Sequence, residues 1–297
     1  MKRLIGVFLI VISAASFGTL GILGRLAYAE GLDIFTLLFL RFSISAVLMA
    51  GLLVLRREPW PRGSLLLRLI GMGAIGYVGQ SFSYLTAIKY ASPGLVALLL
   101  YLYPVFVAIL SSLFLHEKIT HAKTLALALA LTGTALTVGP EGGRLPGILL
   151  AISAAVIYSI YILVGATVMQ KVSALQSSTV IFASAGSVYG LLTLLNGPHF
   201  PVSTAGWATI GGTVLIATVI PVVTFLAGLK RIGPTNASML STLEPVVTVI
   251  LSAVLFSETL KPLTLIGGGM ILLAVIWLTR SELRQSPAPE PDRMVGI

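Results

Sequence analysis

PTNASMLSTLEPVVTVILSAVLFSE, residues 234–258, is an apolar run long enough to cross a bilayer, and a glutamate sits at its centre. Glu244 lies ten residues beyond Pro234. At ~1.5 Å per helical residue that is ~15 Å into a hydrocarbon core ~30 Å thick, near the midplane. A charge there costs roughly 2.5–3.5 kcal/mol on insertion scales, so it is expected to face a cavity or a partner rather than lipid. Pro245 comes next. It cannot donate to the carbonyl of Ser241 and should kink the rod. An acid beside a freed carbonyl at mid-membrane is a candidate binding site.

The composition makes a membrane setting general. Of 297 residues, 57% are hydrophobic and 10% charged, with a mean hydropathy of +1.02. Soluble domains carry about 25% charged residues. The net charge of +9 does not point to nucleic acid, because most basic residues lie in short connections between apolar runs. With no cysteine, thiol catalysis, disulfides and thiolate metal sites are excluded. His116, His121 and His199 fall at span ends or in loops, so no metal cluster is expected. A GxxxxGK[ST] loop is also missing, which leaves no basis for ATP hydrolysis or for any cofactor. The chain begins Lys2-Arg3 and turns apolar, like a signal peptide, and Ala27-Tyr28-Ala29 offers a cleavage site. The run from Leu4 to Gly24 nonetheless exceeds the usual ~7–15 residues, so it is read as a retained helix.

Apolar runs bounded by charge, Gly or Pro predict an all-α integral membrane protein of ten transmembrane helices. They fall near 4–28, 33–55, 65–88, 93–115, 121–139, 145–169, 175–195, 206–229, 234–256 and 262–280. Residues 281–297 are polar and proline-containing and read as a disordered cytoplasmic tail. With the N-terminus inside, fourteen Lys and Arg of the connections and termini collect on the inner side and three, Lys89, Arg144 and Lys261, on the outer. That asymmetry orients the chain N-in, C-in.

The sequence also repeats at an offset of 141 residues. Pro93 falls on Pro234, Leu99 on Leu240, Pro104 on Pro245, Val105 on Val246, Ser111 on Ser252 and Glu117 on Glu258, without a gap. Residues 4–139 and 145–280 are therefore read as two copies of five spans. Five is odd, so the second copy enters from the opposite side of the membrane. Inverted repeats of this kind place a substrate site near the midplane between them and work by alternating access.

Polar and aromatic side chains cluster on particular faces. Tyr77, Gln80, Ser81 and Tyr84 share one face of span 3, and Tyr158 and Tyr161 one face of span 6. Ser241, Glu244 and Thr248 share one face of span 9. Tyr101 and Tyr103 come from span 4, Thr218 flanks Pro221 in span 8, and Phe17 lies among small residues in span 1. These residues, Thr248 apart, are the candidate substrate contacts, with Pro104, Pro221 and Pro245 as helix kinks. Tyr28, Tyr90 and Tyr189 are read as interfacial anchors. Arg41 is read as structural, bonding carbonyls or an outer acid such as Asp33. Gly267-Gly268-Gly269 and Thr132-Gly133-Thr134 are read as tight helix packing. Glu244 stands opposite Tyr103 in the repeat, so its role belongs to one half alone. It can contact a substrate ammonium, carry a coupling proton or be structural; burial favours its neutral form.

Leu243-Glu244-Pro245-Val246 followed by Ser257-Glu258, with the weaker copy Tyr103-Pro104-Val105 followed by Glu117, resembles the drug/metabolite transporter superfamily, EamA branch. Within it the chain looks most like amino-acid exporters of the YddG type. The resemblance spans about 4–280. It implies a cavity formed by spans 1, 3, 4, 6, 8 and 9, with 5 and 10 peripheral. The expected function is secondary transport, most of all export of aromatic and hydrophobic amino acids across a bacterial inner membrane. The alternative is export of quaternary-ammonium drugs, held by cation–π contact. Phosphorylated substrates would call for a basic cluster at the midplane. A membrane enzyme would need paired acids or a nucleophile–base pair, which the spans lack, and a scaffold would have no use for inverted symmetry. The expected partners are a small molecule and the lipid bilayer, not nucleic acid, with the protein as a monomer.

Overall fold

The computed structural model describes residues 2–91, 93–138, 143–256 and 261–284. In chain order its helices are α1 Arg3–Ala29, α2 Ile34–Leu55, α3 Gly63–Ala87, α4 Leu95–Leu115, α5 His121–Val138, α6 Leu145–Val168, α7 Ala174–Asn196, α8 Thr204–Ile232, α9 Pro234–Phe256 and α10 Pro262–Arg284. Among the described residues, all but α5 hold a stretch long and apolar enough to cross a membrane, nine in number. α5 has 18 residues and carries Lys123 in its first turn. α10 runs on through Arg284, so residues 281–284, expected in the polar tail, are helical. Ser257 and Glu258 of the quoted stretch, and the tail beyond Arg284, lie outside the described residues.

Several helix starts follow from local chemistry. Ser173 and Gln176 form a capping box ahead of α7. The Asp33 carboxylate accepts from the backbone N–H groups of Phe35 at 2.8 Å and Thr36 at 3.1 Å, and also from the Thr36 hydroxyl. Burial by itself raises the Asp33 carboxyl, but those bonds, helped by His199 with Nδ1 3.4 Å away, hold it below its ordinary value of 3.8. The stability contributed is therefore complete above that ordinary value and is lost as pH falls through the lower folded-state value. Asp33→Ala is expected to cost about 0.5–2 kcal/mol. It should also flatten the acid limb of a thermal-stability profile in detergent, and an unchanged limb would count against this cap.

The helices are not smooth rods. α1 is broken at Gly18–Thr19 and α4 at Tyr101–Leu102. α3 contains a π-turn at Met72–Tyr77, α8 another at Leu215–Val219, and α9 a 3₁₀ turn at Ser241–Leu243. Pro104, Pro221 and Pro245 each sit in the first turn of the α-segment that follows such a break. A proline there gives up an N–H that would have had no helical partner. The Ser241 carbonyl, expected to be free, accepts from the backbone N–H of Glu244. The 3₁₀ turn thus supplies the bond that Pro245 cannot.

The closest pairings are α2 with α7, α5 with α10, α1 with α8 and α3 with α6, while α4 leans on α6 and α9. Small residues allow these contacts. A Cβ on Gly133 would lie 2.6 Å from the Gly267 carbonyl oxygen. One on Gly267 would meet the Gly133 carbonyl and come within 2.7 Å of the Thr137 nitrogen. Gly269 faces open space, so one glycine of the triplet carries the packing between α5 and α10. Gly267→Ala should destabilise by about 1–3 kcal/mol, whereas Gly269→Ala should be near neutral or mildly stabilising. Equal melting temperatures for the two variants in detergent would contradict this packing.

Candidate functional site

The broken helices surround a cavity of about 520 Å³, within the range of small-molecule sites. It runs from mid-bundle to the end where α1 and α5 finish and α2 and α4 begin, reaching Tyr28, Ile34, Ala97 and Thr137. Phe17, Tyr77, Gln80, Ser81, Tyr84, Tyr101, Tyr103, Tyr158, Tyr161 and Glu244 all line it. Thr218 and Ser241 do not. Thr218 is fully buried and donates 2.8 Å to the Thr213 carbonyl, and Ser241 donates 2.9 Å to that of Ala237. Hydroxyls in apolar helices commonly satisfy themselves in this way. On α9, Thr248 lines the cavity in place of Ser241, its hydroxyl 3.0 Å from the Gly18 carbonyl oxygen where α1 breaks.

The aromatic wall is a connected cluster. Tyr103 and Tyr158 meet edge-to-face at 4.8 Å, and Tyr158 and Tyr161 stack at 5.9 Å. Tyr161 meets Tyr77 edge-on at 5.9 Å, and Tyr77 meets Phe42 at 4.9 Å. Rings locked in this way present fixed faces and edges. Glu244 makes no side-chain hydrogen bond or ion pair among the described residues and opens onto the same space.

Two tyrosines set aside as interfacial anchors are placed differently. Tyr28 lines the mouth of the cavity, and Tyr189 is buried, stacked 5.8 Å from Phe42. Arg41 is also a wall residue. Its Nε donates to the Thr218 hydroxyl at 2.6 Å, and its Nη2 to the Ala217 carbonyl at 3.2 Å and the Tyr77 hydroxyl at 3.4 Å. Ala217 stands four residues before Pro221 and receives no α-helical bond from it. The expected carbonyl contact is therefore present, but Asp33 is engaged in capping α2 and is not the partner. α2 contributes Ile34, Leu37, Leu38 and Arg41 to the wall, while α8 contributes Thr213 alone. This exchanges the shares that the family resemblance implied. The signal for Arg41 was present in the sequence, an arginine inside an apolar span with no acid one helical turn away.

The end of the bundle away from the Tyr28 mouth is closed. Residues Pro234–Leu240, the first part of α9, are buried throughout. The Tyr103 hydroxyl donates to the Ser238 carbonyl at 3.3 Å. Lys123 and Glu117 pair at 2.7 Å, and the other Glu117 oxygen accepts from Thr235 at 2.8 Å, joining the ends of α4 and α9.

Sequence and structure comparisons agree with this architecture. The profile of the EamA-like transporter family matches residues 4–139 and again 145–280. An "Uncharacterized transporter" of Archaeoglobus fulgidus is 31% identical over 269 residues, 90% of this chain and 93% of that one. A "Probable terminal-alkyne amino-acid exporter" of Streptantibioticus cattleyicolor is 26% identical over 84% of this chain and 85% of that one. The "Aromatic amino acid exporter YddG" of Ancylobacter novellus is 33% identical, but over 37% of this chain and 38% of that one. One solved crystal structure superposes with a TM-score of 0.81 at 23% identity, covering 94% of this chain and 98% of that one, a likeness of fold. These names indicate transport rather than catalysis, and the apolar helices indicate a multi-pass membrane protein. The chain belongs to the EamA-like transporter family.

Proposed function

We propose that the protein exports aromatic and hydrophobic amino acids by alternating access through this cavity. The observation that carries the reading is the cavity wall, a cluster of tyrosines around about 520 Å³ with a glutamate among them that makes no hydrogen bond or ion-pair contact among the described residues. Ring faces suit apolar side chains, and a carboxylate suits an α-ammonium. Two relatives named as amino-acid exporters support the choice.

In this reading 4–139 and 145–280 are inverted repeats of five spans each, α5 completes the first, and both termini face the cytoplasm of a bacterium. The pairings support it: exchange of the copies turns α1 with α8 into α6 with α3. The helix breaks support it too, since the π-turns at 72–77 and 215–219 overlap at the offset of 141, as do the breaks at 101–102 and 241–243. The Tyr28 mouth then opens outward, and Pro234–Leu240 blocks the inner side.

The test is a substrate panel on the purified protein in proteoliposomes, with and without a pH gradient. Flux of phenylalanine and leucine analogues is expected. Tyrosine faces beside a lone acid also favour a second reading, export of quaternary-ammonium cations. Flux of such cations with none for any amino acid would replace the first reading by the second.

A further inference from the structure

Arg41 is 3% exposed, and its neighbours along α2 include Leu38, Leu40 and Phe42. A guanidinium stays charged even when buried. Its acceptors, Thr218, Ala217 and Tyr77, are all neutral. They fix its direction but do not neutralise it, and Glu244 acts on it only across the cavity, without contact. Among the described residues no carboxylate lies in ion-pair contact with it. A guanidinium has five N–H donors. Nε and Nη2 hold the protein, and Nη1 makes no hydrogen bond among the described residues. The side chain lines the cavity, and so does Glu244 on α9. The chamber therefore presents Arg41 and Glu244 on separate walls, with tyrosines between them; a second arginine, Arg25, also lines it, its guanidinium 4.1 Å over the Phe256 ring.

We propose that Arg41 is the specificity-determining residue for a substrate carboxylate, leaving Glu244 to the ammonium of the same zwitterion. This rests on the reading of the cavity as an amino-acid site. It adds that a free carboxylate is required. A zwitterion answers Arg41 and Glu244 at once. An amine without the carboxylate leaves Arg41 unanswered, and a carboxylate without the amine leaves Glu244 so. The bonds from α8 hold the guanidinium before substrate arrives, so little orientation is lost on binding.

The experiment compares phenylalanine with phenylalaninamide, which keeps the ring and the amine but replaces the carboxylate with a neutral amide. Both are offered to the wild-type protein in proteoliposomes. Phenylalanine should be favoured roughly ten- to a hundredfold, the worth of hydrogen bonds to a charged group. Arg41→Lys keeps the charge without the fork and should retain part of the preference, while Arg41→Gln should abolish it. The wild-type comparison does not depend on the variants folding. Equal flux of the two compounds in the wild type would overturn the role of Arg41 and leave the amino-acid reading standing. No flux of either would overturn both. Variants that slow both compounds alike, with the ratio unmoved, would reduce Arg41 to a strut between α2 and α8.

Discussion

Glu244→Gln is expected to lower phenylalanine flux in proteoliposomes by roughly tenfold or more. An ammonium hydrogen-bonded to a carboxylate in a site screened from water contributes about 1.5–3 kcal/mol, and each 1.4 kcal/mol is a factor of about ten. Glutamine keeps the shape and removes the charge. Folding should not suffer, since the Glu244 carboxyl makes no hydrogen bond or ion pair among the described residues that the variant would break. Glu244 feels the Arg41 charge only across the cavity, so its removal should change the melting temperature little. Two assays separate the roles this acid can have. If Glu244 holds the ammonium, exchange of labelled for unlabelled phenylalanine falls together with gradient-driven uptake. If it carries a coupling proton, the response to a pH gradient disappears while exchange survives. Wild-type flux with wild-type pH dependence in the variant would remove Glu244 from the mechanism.

The second large effect is expected at the closed end. Thr235→Val removes the 2.8 Å bond from α9 to Glu117 while leaving Glu117 paired with Lys123 at 2.7 Å. In alternating access this bond exists in one state and must break in the other, so its loss favours the other state. A hydrogen bond to a charged acceptor is worth about 1.5–3 kcal/mol, hence a shift of roughly tenfold or more in the ratio of the two states. The chain has no cysteine, so a single Ser238→Cys, at a position now fully buried, reports opening without a competing thiol. Its labelling by a water-soluble thiol reagent should speed up by a similar factor in the Thr235→Val background. An unchanged labelling rate in a protein that still melts cooperatively would show that this bond does not hold the gate. Glu117→Gln is the poorer probe because it also strips the buried Lys123 of its partner, a change that costs several kcal/mol on its own.

Much of the aromatic wall was legible in the chain because it depends on local periodicity. Tyr77, Gln80, Ser81 and Tyr84 recur at helical spacing, and even with a π-turn that ends on Tyr77 all four reach the cavity. Ser241 shows where the same logic fails. The 3₁₀ turn at 241–243 and the nearby Ala237 carbonyl turn its hydroxyl back onto its own helix. Tyr28 and Tyr189 sit near span ends, where interfacial anchoring is the usual role. Whether a ring at a span end meets lipid, a cavity or another ring depends on the helix beside it, and for Tyr189 that ring is Phe42 of α2.

Three things followed from the sequence by itself: the membrane class, the breaks at Pro104, Pro221 and Pro245, and an acid near the middle of α9, whereas the breaks at 18–19 and 72–77 have no proline to announce them. Each depends on residues within one span, through the cost of polar groups in hydrocarbon and the missing N–H of proline. The tertiary structure decided which polar groups are spent inside the protein and which remain for a ligand. Arg41 read alone is a structural arginine, and Thr218 read alone is a cavity hydroxyl. Across 177 residues of chain they bond to each other, which consumes the hydroxyl and aims the guanidinium. Side-chain saturation of this kind depends on the approach of distant helices, and no pattern along one helix encodes it.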